Sequence, residues 1–301
     1  MSAVRQPARL WLVALLLWLP VASGAVERVT LEHDGRTLVG HVQAASAAAE
    51  GVVLMLHGTL AHGRMETMAG IQDRLADAGI NSLAVNLSYG IDEREGMFEC
   101  DRPVMHGVQE HFAELDAWMN WLKGQGFGPV SLLGHSRGGN QVARYVQETG
   151  VEGIRMLIVI APSTYDAERA AASYEAQSGM PLGARLDQAR ELLRMDQPQT
   201  LLSDVRFLYC ETLDVAPAAF LGYYDPEQGH DTPSVIDGIG LPTLVIIGSE
   251  DDVVADLPER MAALRGTDHI TTVTIDGADH FFRDFFADDV AEAVADFIAQ
   301  H

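Results

Sequence analysis

Short apolar runs alternate with amphipathic stretches along most of the chain. RVTLEH (28–33) and TLVGHV (37–42) flank Asp34-Gly35, a two-residue turn signal, and so predict an antiparallel hairpin at a sheet edge. GVVLMLHG (51–58) is a short β-branched and apolar run ending in His-Gly, suited to a buried strand. In residues 65–78, Met68, Ile71, Leu75 and Ala78 recur at helical spacing, and Gly79 closes the helix. INSLAVNL (80–87) is the next strand. A helix over 106–123 follows, with Val108, Phe112, Leu115, Met119 and Leu122 on one face. PVSLLGHS (129–136) is a strand and RGGNQVARYVQET (137–149) a helix ended by Gly150. IRMLIVIAP (154–162), PTLVIIGS (242–249) and HITTVTID (269–276) are further strands, and DFFADDVAEAVADFIAQ (284–300) is the closing helix. Strands alternating with helices imply a mostly parallel sheet, here of eight strands, covered on both faces.

The alternation stops between Ser163 and Gly240. Leu182, Leu186, Ala189 and Leu193 mark an amphipathic helix there, and 78 residues are too many for a plain loop. The expected organisation is therefore an α/β core of residues 26–162 and 241–301, carrying a largely helical cap of 163–240 over the carboxyl ends of the strands. Tyr209, Phe220, Tyr223 and Tyr224 either wall a pocket beneath that cap or pack it onto the core.

The first 25 residues stand apart. Arg5 and Arg9 precede the apolar run from Leu10 to Ala22, and small residues close it, which describes a cleavable signal ending at Gly24 or Ala25. The run falls short of the ~20 residues a spanning helix needs. An exported protein is expected, periplasmic or secreted, with no stable membrane insertion after cleavage. Export changes the meaning of Cys100 and Cys210, the only two cysteines: an oxidising compartment permits a bridge between them, the alternative being two buried thiols that never meet. A net charge of −23, from 20 basic and 43 acidic residues, argues against nucleic-acid binding and against attraction to anionic lipid. Charge and length do not set the oligomeric state.

The chemistry gathers around LLGHSRGG (132–139). Gly134-His135-Ser136-Arg137-Gly138 reads G-x-S-x-G with a strand before it and a helix after it, the context in which a crowded turn lifts a serine hydroxyl to the top of a sheet. A serine needs a base and the base needs an acid. IDGADHFF supplies His280 after the last strand. His57, His62, His106, His111, His135, His230 and His269 are its competitors, and His57 and His135 sit at strand ends where they orient loops. LVIIGSEDDVV supplies Glu250, Asp251 and Asp252; the third position after the strand-ending Gly248 selects Asp251, with Asp252 as its alternative. The order Ser136, Asp251, His280 is the one the motif requires. Backbone N–H groups of Arg137 and Thr59, or Leu60 in place of Thr59, are the candidate oxyanion donors. Cys100, Asp101, His106 and His111 fit no zinc spacing, so no metal or cofactor is expected. Arg102 and Arg137 hint at an anionic substrate group, though Arg137 has acidic surface residues to pair with as well.

HGT (57–59), GHSRGG (134–139), GSED (248–251) and GADH (277–280) together resemble the α/β-hydrolase superfamily, in its order and spacing, from Val26 to His301. The resemblance implies a serine nucleophile, a cap governing access, and hydrolysis of an ester, thioester or amide. The expected activity is that of an exported carboxylesterase acting on a small-molecule ester. Amide or thioester hydrolysis, or a non-catalytic binding module on the same scaffold, are the alternatives. The loop SYGIDEREGMFECDRP (88–103) departs from the usual shorter version.

Overall fold

The computed structural model describes residues 24–45, 51–264 and 267–301. All but the end of the expected signal thus lies outside the described residues. β1 (Val26–His33) and β2 (Arg36–Gln43) form the edge hairpin. Asp34 and Gly35 both take positive φ, 47° and 71°, the paired left-handed conformation that matches a two-residue turn to strand twist.

β3 (Val52–Leu56), α1 (Glu66–Asp77), β4 (Ser82–Val85), α2 (Val108–Gly124), β5 (Val130–His135), α3 (Arg137–Thr149) and β6 (Ile154–Ile160) complete the first part of the core. The chain then leaves the sheet through α4 (Ala167–Ser178), α5 (Leu182–Arg194), β7 (Leu202–Phe207), β8 (Cys210–Val215), α6 (Pro217–Tyr224) and α7 (Thr232–Ile236). It returns as β9 (Thr243–Gly248), α8 (Leu257–Ala263), β10 (Ile270–Ile275) and α9 (Phe286–Gln300). The eight sheet strands lie in the order β1-β2-β4-β3-β5-β6-β9-β10, with β2 alone running against the rest. β3 and β5 at the centre are buried on both faces, which is why β3 is wholly and β5 mostly apolar. No described helix is long and apolar enough to cross a membrane.

The excursion between β6 and β9 is mostly helical but also carries a two-stranded sheet. β7 and β8 pair antiparallel, with register irregularities, and Leu208 turns between them at φ 55°. A leucine in that conformation carries no turn signature. It is held by tertiary contact instead, since its N–H donates to Tyr224 Oη at 2.7 Å. Cys210 opens β8 and is bonded to Cys100, their Cα atoms 5.6 Å apart. Val104 bridges to Val215 nearby. The bond closes a loop of 110 residues in the unfolded chain, a separation that corresponds to roughly 4 to 5 kcal/mol of stabilisation. Replacing both cysteines by alanine is expected to lower the unfolding free energy from urea titration by about that amount; a loss under about 1 kcal/mol would contradict it.

Buried polar residues are the second departure. The covered face of α2 includes His111 and Glu114 beside Phe112, Leu115 and Trp118. Glu114 accepts from Ser88 Oγ (2.5 Å) and Ser88 N (2.8 Å), and His106 Nδ1 lies 3.5 Å from it. Burial alone pushes the Glu114 carboxyl up, but those bonds from His106 and Ser88 outweigh it and hold the carboxyl below its ordinary value.

Candidate active site

Ser136 stands between β5 and α3 at φ 55°, ψ −123°, a conformation that an L residue holds only when its surroundings impose it. The glycines around it show how. A Cβ on Gly134 would lie 2.3 Å from Gly138 O, and one on Gly138 would lie 2.3 Å from His57 O and 2.5 Å from Leu56 O. The turn therefore closes only with hydrogen at both positions, and it presses α3 against the end of β3. A Cβ on Gly58 would come within 3.3 Å of Ser136 Cβ, so the loop after β3 passes directly over the serine.

His280 reaches the serine from the loop after β10. Its Nε2 is 2.9 Å from Ser136 Oγ, and its Nδ1 is 2.8 Å from Asp251 Oδ2. A carboxylate oxygen only accepts, so Nδ1 carries the proton and Nε2 presents its lone pair to the serine hydroxyl. Asp251 Oδ1 accepts from Val253 N (2.8 Å) and Val254 N (3.0 Å). Desolvation raises the Asp251 pKa, yet the bonds from His280 and these two amides prevail and keep the carboxyl below its ordinary value. Asp252 is exposed and does not meet His280. Gly248 brings the two loops together, since a Cβ there would stand 2.5 Å from Ala278 O.

Two further histidines set the loops. His135 is fully buried and its Nε2 lies 2.8 Å from the His280 carbonyl, which fixes the backbone of the residue facing Ser136. Burial, reinforced by the neighbouring His280, pushes His135 down to about 4, so it is neutral and Nε2–H donates. His57 Nδ1 is 2.8 Å from Gly58 O, and its Nε2 accepts from Leu87 N and Arg94 Nη2. Burial, with Arg94 adding to it, holds its pKa well below the ordinary value. Because a trans peptide points its C=O and N–H in opposite directions, tying Gly58 O to His57 turns the Thr59 N–H the other way. Arg137 N opens α3, where helix amides have no intrahelical acceptor. The two oxyanion candidates thus follow the ends of the neighbouring strands β3 and β5, joined by Arg137 Nε donating to Thr59 Oγ1 at 3.3 Å.

Arg94 carried no signal in the sequence. It is buried in the 88–103 loop and donates to Leu87 O, Gly96 O and Ala61 O, pinning that loop to the one after β3. Arg102 is exposed and paired with Asp101. Arg137 stacks on the Tyr223 ring, Cζ 5.2 Å from its centroid, and among the described residues forms no ion pair. Of the aromatic set in the excursion, Tyr223 and Tyr224 line a cavity, Phe220 packs against Tyr174 and Tyr224, and Tyr209 is exposed with its hydroxyl on Phe98 O. Among the described residues no cluster of histidine, cysteine or carboxylate side chains has the geometry to hold a metal.

Residues 53–297 match the model of the alpha/beta hydrolase family. The fold is similar to Est1E from Butyrivibrio proteoclasticus, at TM-score 0.62 and 18% identity over 91% of this chain and 98% of that one. The monoacylglycerol lipase of Paleococcus ferrophilus is similar at TM-score 0.60 and 17% identity, covering 88% and 99%. The esterase domain from a Rhodothermus marinus protein is similar at 0.59 and 16%, covering 92% and 98%. None of the curated proteins compared matches the sequence significantly.

Proposed function

The chain belongs to the alpha/beta hydrolase family, and from that premise we propose that it is an exported carboxylesterase working through an acyl-serine intermediate. The observation that carries this reading is the unbroken hydrogen-bond line from Ser136 Oγ through the His280 ring to Asp251. In the first half-reaction Ser136 Oγ attacks the ester carbonyl carbon while His280 Nε2 takes its proton. Negative charge builds on the carbonyl oxygen, where the N–H groups of Arg137 and Thr59 receive it. The intermediate collapses, the C–O bond to the alcohol breaks, and His280 returns the proton to the departing alkoxide. Water then repeats the sequence on the acyl-serine, releasing the acid and restoring Ser136. Asp251 holds Nδ1–H toward itself throughout and balances the imidazolium charge. The strained Ser136 backbone and the fixed Thr59 peptide keep nucleophile and donors placed before substrate arrives. In this reading the excursion of 163–240 serves as the cap.

A fluorophosphonate probe tests the proposal. Stoichiometric labelling of the folded, oxidised protein is expected, with p-nitrophenyl acyl esters turned over in preference to anilides. An unlabelled, inert protein of intact fold would return the scaffold to a binding role. Labelling with a preference for thioesters or amides would keep the nucleophile and move the substrate class.

A further inference from the structure

A cavity of about 250 Å³ lies between the start of α3, the Ser163 segment, α4, β7 and α6. It adjoins the nucleophile: Arg137 follows Ser136 in the chain, and Ser163 N donates to Ser136 O at 3.2 Å. The chain has 43 acidic residues, yet none of the cavity's lining residues is acidic. Two of them are arginines, Arg137 and Arg206, and among the described residues neither forms an ion pair. Stacking on Tyr223 and the single bond to Thr59 leave the terminal N–H groups of Arg137 free in the guanidinium plane.

The wall also holds a buried polar atom without a partner. Among the described residues nothing meets His230 Nε2 at hydrogen-bond distance and angle, and the residue is 4% exposed, whereas the Tyr223 hydroxyl faces that of Tyr89. Such atoms are costly to bury unless something else satisfies them. The site is also electropositive: burial, then the charges of Arg137 and Arg144, push His230 down to about 3. A group that relieves this field is an anion whose planar oxygens meet an arginine fork; Arg206 borders both this cavity and a neighbouring one that holds Asp204 and Glu211. The volume is below the roughly 300–1,000 Å³ usual for drug-sized ligands, which limits that group to a short chain.

Building on the esterase reading above, we propose that this cavity is the subsite for a carboxylate on the substrate, and that the enzyme's preferred substrates are half-esters of short dicarboxylic acids. Arg137 and Arg206 bind the carboxylate beside His230, and the ester end then reaches Ser136. Arg206 sets the specificity of the reaction and takes no part in its bond changes.

Methyl half-esters and dimethyl esters of malonate, succinate, glutarate and adipate test this in two ways. For wild type, kcat/KM for the best half-ester is expected to exceed that of its own diester by about tenfold or more, and Arg206→Gln is expected to bring the pair within about twofold, with Arg206→Lys between. Calorimetric titration of Ser136→Ala, which needs no turnover, is expected to show the same preference. Equal or better use and binding of the diesters across the series, or a preference untouched by Arg206→Gln, would overturn the subsite. Binding of half-esters without turnover of any ester by wild type would uphold the subsite and remove the hydrolase reading beneath it; turnover of neutral esters alone would do the reverse.

Discussion

Ser136→Ala is expected to lower kcat for p-nitrophenyl butyrate by about 10⁴- to 10⁶-fold with little change in thermal midpoint or far-UV circular dichroism. The magnitude follows from what is left: without Oγ the ester meets oriented amides and water, and these alone retain only a small part of the acceleration. The fold is expected to stand because alanine keeps the Cβ and the same backbone constraint; the glycines at 134 and 138, not the hydroxyl, permit the turn. His280→Ala is expected to cost a similar factor, and the double variant little more, since serine and base act as one unit. A Ser136→Ala protein within tenfold of wild type would place the chemistry elsewhere.

The second large effect is acid lability. His111 and His135 are fully buried, and desolvation pushes each down to about 4 from an ordinary value of 6.5. In the unfolded chain both imidazoles take up a proton as pH falls through about 6.5; in the folded protein they wait until about 4. Between those values the unfolded state holds more protons, so stability is complete above 6.5 and declines as pH falls toward 4. Each histidine contributes roughly 3 kcal/mol to that loss, together a large share of the roughly 5–15 kcal/mol available to a domain. His230, set lower still, adds to it in the same direction. Urea titrations at pH 7.5 and 5.0 check this: the midpoint is expected to fall markedly at the lower pH, and His111→Gln, whose amide does not titrate, to flatten the dependence. A midpoint constant between these pH values would refute it.

Much of the fold was legible because its logic is periodic. β3, β5, β6 and β9 are predominantly apolar because both faces are covered, and α1 and α3 end at Gly79 and Gly150, both at positive φ. The residues that meet at Ser136 were also nameable, because strand ends carry them and strands declare themselves. Geometry separates Asp251 from its neighbours: Asp251 turns inward onto two amides and His280, while Asp252 faces solvent. What escaped was held by tertiary contact. The β7–β8 turn has Leu208 where a glycine or asparagine would have announced it, and its amide is satisfied by a tyrosine 16 residues away. The burial of Arg94, His111 and Glu114 escaped because hydropathy cannot distinguish a solvated polar group from a buried one with partners. Arg206 and His230 lie on separate segments, and only the folded excursion gives them a common cavity.

The bond between Cys100 and Cys210 limits how the 163–240 excursion can move against the core. It joins the 88–103 loop to the head of β8; beside it Tyr209 Oη holds Phe98 O at 2.7 Å and Val104 bridges to Val215. These ties lie far in sequence from the joints at 163 and 240. A rigid swing of the whole segment about those joints, the motion of a hinged lid, would have to break a covalent bond. α4 and α5 carry no covalent tie of this kind: they are held by the buried Tyr174, Leu182, Leu186 and Ala189 and by side-chain bonds such as Arg169 to Asp256 and Arg190 to Asp225. Reduction would release β8 from that covalent tie and leave both halves of the excursion held by non-covalent contacts alone.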